Sequence, residues 1–137
     1  PPSLAARRIT NPDAPLVDCF SRFTVKGETL TATPVLLARR TPYDPALSRS
    51  LFSYLEVKYL VLAPSGAGWT AALTREEPRL LDASDLPELG RKYGKNTGYV
   101  IHPEEVLADN FSLLVREQFG GPTPRVTAGL WRALGGE

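Results

Sequence analysis

Between Leu55 and Val61 the side chains alternate: Leu55, Val57, Tyr59 and Val61 fall on one side of an extended chain, and Glu56, Lys58 and Leu60 on the other. A period of two is the signature of a strand with one face on a core, because a helix would scatter the same residues around its circumference. The run stops at Pro64-Ser65-Gly66-Ala67-Gly68, a cluster of turn formers, and Trp69 to Leu73 is expected to return as the hairpin partner. A second hairpin is predicted earlier. Phe20, Phe23 and Val25 precede Lys26-Gly27-Glu28, and Leu30, Ala32 and Val35 follow it, with Thr29, Thr31 and Thr33 expected on a wetter face. These strands most simply build a small antiparallel sheet.

The flanking segments read differently. Residues 1–16, with the turn signal Asn11-Pro12, are expected to be an irregular lead-in. Thr41-Pro42-Tyr43-Asp44-Pro45 breaks the strand pattern, and Ala46 to Tyr54 fits a short helix or an extended segment equally well. The second half is predicted to be helical: a short helix from Asp85-Leu86-Pro87 through Tyr93, a loop over Gly94 to Gly98, and a brief extended run over Tyr99 to Ile101. The principal helix is then expected from Pro103 to about Phe119, ended by Gly120-Gly121, and a last helix from Pro124 to Leu134 with Thr123 as its cap. The fold class is therefore α+β. Residues 1–137 form one domain or a domain fragment, strand-rich over 17–75 and helical over 84–135.

Charge narrows the function classes. Sixteen basic and fifteen acidic residues leave a net charge of +1, and the basic residues come in short pairs (Arg7-Arg8, Arg39-Arg40, Arg91-Lys92) rather than a stripe. No nucleic-acid partner is expected on that basis. No apolar run spans a bilayer and no signal-peptide pattern opens the chain, so no membrane partner is expected. The single cysteine, Cys19, excludes an intrachain disulfide, which fits the cytoplasm, and reads as a small buried apolar residue. The chain has no methionine and opens Pro1-Pro2, which suggests a piece of a longer protein.

The segment from Ile101 to Val115 carries the chemistry. His102 stands at a cap position, Pro103 has its φ preset for a first turn, and Glu104 and Glu105 lie near the positive end of the helix dipole. At 3.6 residues per turn, Leu107, Ala108, Phe111, Leu114 and Val115 share a stripe, which is the predicted core contact. Glu105, Asp109, Ser112 and Arg116 form a neighbouring polar stripe, with Glu105 and Asp109 one turn apart on the same side. Acids in a first turn also have an ordinary explanation, since each contributes roughly 0.3–1 kcal/mol against the dipole.

Glu105-Val-Leu-Ala-Asp109-Asn-Phe111-Ser-Leu-Leu-Val115 resembles the third-ligand helix of the gluzincin metallopeptidases, the thermolysin-like clan. The resemblance covers about a dozen residues and implies a zinc-dependent peptidase acting on a peptide or protein substrate. Glu105 would be the zinc-binding carboxylate, and Asp109 would accept a hydrogen bond from a zinc-binding histidine, orienting its imidazole. His102 would be either a donor near the metal or a helix cap, Tyr99 a phenol able to polarise a carbonyl or a packing residue, and Glu104 the second choice for the site acid. The chain departs from the family's pattern in one respect: His102 is its only histidine, so it holds no His-Glu-x-x-His. The remaining ligands and the general base would lie outside this sequence, and the isolated chain would be inactive and would not hold zinc tightly. The alternative is a non-catalytic α+β interaction module.

Overall fold

Period-two patterning and glycine-bearing turns fold the first half into antiparallel strands, whereas the second half forms helices. The computed structural model describes residues 3–10, 19–39, 43–46 and 50–136. The chain divides into two compact units, Pro1–Leu86 and Pro87–Glu137.

In the first unit, α1 (Leu4–Arg7) is followed by β1 (Ser21–Val25), β2 (Glu28–Ala38), β3 (Leu55–Ser65), β4 (Gly68–Ala71), β5 (Leu73–Thr74), β6 (Glu77–Pro78) and β7 (Leu80–Leu81). The sheet order is β1-β2-β3-β4, all antiparallel, with β7 also on β3. The predicted β1–β2 hairpin turns at Lys26-Gly27, both at positive φ, which gives the twist that a two-residue hairpin needs. β2 outruns β1: its pairing with β1 ends at Ala32, whereas its pairing with β3 reaches Ala38. Part of the free edge is taken by the lead-in, where Arg8 bridges Leu37 and the Ile9 amide donates to the Leu36 carbonyl at 2.9 Å.

Several expectations change here. Residues 4–7 of the lead-in make one helical turn, and residues 11–18, with the Asn11-Pro12 turn, lie outside the described residues. The open choice over Ala46–Tyr54 resolves at its end into a 3₁₀ turn, Leu51–Tyr54. Cys19 is half-buried rather than buried. Thr33 is buried, not on a wet face, because its hydroxyl donates to the Cys19 carbonyl at 2.7 Å and is thereby satisfied. Both faces of β2 are consequently covered, with Leu30 and Ala32 buried on one and Val35 and Leu37 on the other. On the first face Phe23 meets Tyr59 edge-on, centroids 6.2 Å apart, which adds about 0.5–1.5 kcal/mol to the burial itself.

The β5–β6 hairpin was not foreseen. Ala72 and Arg79 both bond Val61 and each other, so the strand leaves the sheet at one and rejoins at the other. The excursion turns at Arg75 and Glu76, at φ 51° and 68° without glycine, so the sequence carries none of the usual turn signals. At the other end of β3, Lys58 donates to Asp82 at 2.7 Å, and its pKa is raised by that hydrogen bond. This pair stabilises the fold below the ordinary lysine value and loses its effect as pH rises through the raised one.

The second unit holds α2 (Leu89–Tyr93), α3 (Pro103–Val115) and α4 (Pro124–Ala133). The predicted extended run over Tyr99–Ile101 joins no strand. α3 stops four residues before the expected end. Glu117 takes a left-handed φ of 57°, its amide donates to Leu114 O and the Gln118 amide to Leu113 O, closing the helix as a glycine usually does. Thr123 precedes α4 as expected, but its hydroxyl accepts from the Lys95 amide at 2.9 Å instead of capping the helix.

The buried side of α3 meets the predicted stripe only at Leu114. Val106, Asn110 and Leu114 are buried, whereas Leu107, Phe111 and Val115 are exposed. The reason is Asn110, 0 % exposed, whose Nδ2 donates to Val106 O at 2.7 Å and whose Oδ1 accepts from Asn96 Nδ2 at 2.8 Å. Asn96 Nδ2 also donates to Thr123 O at 2.9 Å, and its Oδ1 accepts from the Thr123 amide at 2.7 Å. The loop closes tightly around this group: a Cβ on Gly121 would lie 2.8 Å from Asn96 Oδ1, and one on Gly94, at φ +81°, 2.8 Å from Val126. Asn110→Ala should therefore cost about 2–3 kcal/mol, since it strands the Asn96 amide as well as losing its own bonds. Leu107→Ala should cost less than about 0.5 kcal/mol. Urea unfolding of the two variants checks the order, and a larger loss for Leu107→Ala would restore the apolar stripe as the core.

Candidate functional site

α3 begins where Pro103 sets the first φ, and the His102 carbonyl accepts from the Glu105 and Val106 amides at 3.1 and 3.2 Å. The imidazole of His102 makes no capping bond. Its Nε2 is buried without a hydrogen-bond partner, as is Oε2 of Glu104.

One turn on, Glu105 is half-buried and Asp109 exposed. With Val106 and Asn110 fixing the buried side, their immediate predecessors Glu105 and Asp109 share the adjacent side of the helix. Asp109 does not simply face water. The Thr97 hydroxyl donates to its Oδ2, and the same hydroxyl oxygen accepts from the Tyr99 amide at 3.0 Å. The loop that carries Tyr99 into α3 is thus tied to the carboxylate. Oδ1 of Asp109 takes no hydrogen bond from any described residue. Such a carboxylate has one oxygen that orients it and a second open to a further donor.

The sequence-derived site residues therefore fall into two groups. Glu105 and Asp109 sit one turn apart on one side of α3. Tyr99 is partly exposed, at 40 %, on the loop held through Thr97, and His102 is half-buried at the helix start. Glu104, the second choice for the site acid, is also half-buried. Thr97 was missed. Its signal was available: a threonine two residues before the amide it accepts from, followed by glycine, is a local turn former. Among the described residues no three His, Cys, Asp or Glu side chains group so as to hold a metal ion. Nor is any helix among them long and apolar enough to cross a membrane.

Comparison with protein-family models, curated proteins and solved structures finds no match to this chain.

If Thr97 holds the loop to Asp109, Thr97→Val should release it while leaving the fold intact. Hydrogen exchange at the Tyr99 amide should then accelerate by at least about tenfold, with Asn110 side-chain protection unchanged. An unaltered Tyr99 rate would show that the loop is held by something else.

Proposed function

We propose that this chain supplies the third zinc ligand, and part of the substrate cleft, of a gluzincin-type metallopeptidase. The observation that carries the reading is the pairing on α3: Glu105 and Asp109 one turn apart on one side, with Asp109 oriented by Thr97 and its Oδ1 open. The donor chemistry fits a zinc ion at one corner only. Glu105 would hold it through a carboxylate oxygen, and Asp109 Oδ1 would accept the N–H of a ligating imidazole, fixing its tautomer and direction. When bound, the metal would supply an activated water and polarise the scissile carbonyl.

The reading assigns work to the chain's own residues. Thr97 orients Asp109 by occupying Oδ2, so the open oxygen points in one direction before any partner arrives. In this reading His102 would serve as a donor near the metal only if its buried Nε2 is uncovered when the remaining sequence docks, and Tyr99, 40 % exposed, would supply a phenol from the tethered loop. Because His102 is the chain's only histidine, the reading requires two ligating histidines and a general base from sequence outside these 137 residues. Peptides or proteins are the substrate class.

The alternative, a non-catalytic α+β interaction module, draws on the exposed Leu107, Phe111 and Val115 of α3. One experiment separates the two. In the full-length product of the gene that encodes this chain, Glu105→Ala should abolish peptidase activity and zinc content. Asp109→Ala should lower zinc affinity or activity by about 10–100-fold. Zinc content and activity equal in all three proteins, with self-association lost in Phe111→Asp, would establish the interaction module instead.

A further inference from the structure

In the first unit, α1 lies over the sheet face that carries Val35 and Leu37 of β2 and Leu60 and Leu62 of β3, and a cavity of about 330 Å³ opens between them. That volume lies at the lower end of the range for small-molecule sites, about 300–1,000 Å³. Val35 and Leu37, both buried, form its floor, and Leu4 and Leu62 line its sides. The indole of Trp69, braced on Phe20 at 5.1 Å between centroids, closes one end. Arg8 is the only charged side chain in the lining.

Two adjacent arginines are used differently here. Arg7 is consumed by the fold: its guanidinium pairs with Glu56 and donates to the Ala38 carbonyl at 3.0 Å. Arg8 makes no ion pair or side-chain hydrogen bond among the described residues, although the bridge to Leu37 pins its backbone at the cavity. An apolar chamber with one unspent guanidinium suits a ligand of matching build. We infer that this cavity binds a small monocarboxylate with an apolar tail, the tail against Leu37, Leu62 and Trp69 and the carboxylate on Arg8. The guanidinium's planar fork matches a carboxylate. With Arg8 exposed at the rim, a neutral hydrocarbon would gain nothing from the cation and an organic cation would be repelled, while the apolar lining favours a tail over a compact hydrophilic anion such as phosphate.

Octanoate is the probe, with octanol and octylammonium of equal tail length beside it. Titration into the chain carrying Trp131→Phe isolates the Trp69 fluorescence, and amide spectra map the site. Octanoate should give saturable changes confined to residues 4–8, 35–37, 60–62 and 69–71. R8Q should weaken it at least about tenfold, R8K by less, and octanol by no more than about twofold in either variant. Arg8 is exposed, so both variants should keep the native spectrum outside the site. Absence of saturable change at millimolar octanoate overturns the inference. So does octanol or octylammonium binding as tightly as octanoate, or R8Q binding octanoate undiminished.

Discussion

The amide of Asn110 is the contact on which the helical unit is organised. It lies in the middle of α3 with no exposed surface, and both ends of its side chain are used, Nδ2 on the Val106 carbonyl and Oδ1 on Asn96. Asn96 in turn clasps the backbone of Thr123 in both directions, immediately before α4 starts. A loop after α2, the centre of α3 and the start of α4 are thereby joined through two amides. Inside a protein such a network is worth more than its separate bonds, and a half-satisfied version costs more than an apolar substitute. The register of α3 follows from it. Once Val106, Asn110 and Leu114 face inward, Glu105 and Asp109 are carried to the adjacent side and Leu107, Phe111 and Val115 to the outside.

That rotation explains what could and could not be read in advance. The sheet was legible because its strands obey the plainest rule, alternation between turn formers, and β1, β2, β3 and β4 lie where Phe23, Leu30, Tyr59 and Trp69 placed them. The β5–β6 excursion was not, because Arg75 and Glu76 adopt positive φ with none of the glycine or asparagine that announces such a turn. The same blindness applied at Glu117, which ends α3 in place of a glycine, so the helix was drawn too long toward Gly120. The core stripe held only at Leu114, for a related reason. Apolar periodicity counts leucines and phenylalanines as interior and asparagines as surface, so a buried amide turns the helix against the pattern.

The candidate site was legible in part. The spacing of Glu105 and Asp109 and their common side are consequences of helix geometry, and they survive the rotation because both move together. Thr97 was not found: the Thr97-Gly98-Tyr99 turn could have been read locally, but the hydrogen bond that joins it to Asp109, twelve residues on, leaves no periodic trace. His102 was expected at the cap position and stands there, but its imidazole caps nothing and keeps a buried, unpartnered Nε2. The ordinary account of two acids in a first turn covers their placement against the dipole.

The proposal makes one geometric claim, that a zinc ion sits against Glu105 with an imidazole between it and Asp109. Anomalous diffraction at the zinc edge, on crystals of the full-length product of the gene that encodes this chain, tests it directly. The predicted result is a zinc peak about 2.0–2.2 Å from a Glu105 carboxylate oxygen, with Asp109 Oδ1 accepting from the ring N–H of a ligating histidine. A zinc peak bound elsewhere, or none with Asp109 Oδ1 facing solvent, would contradict it.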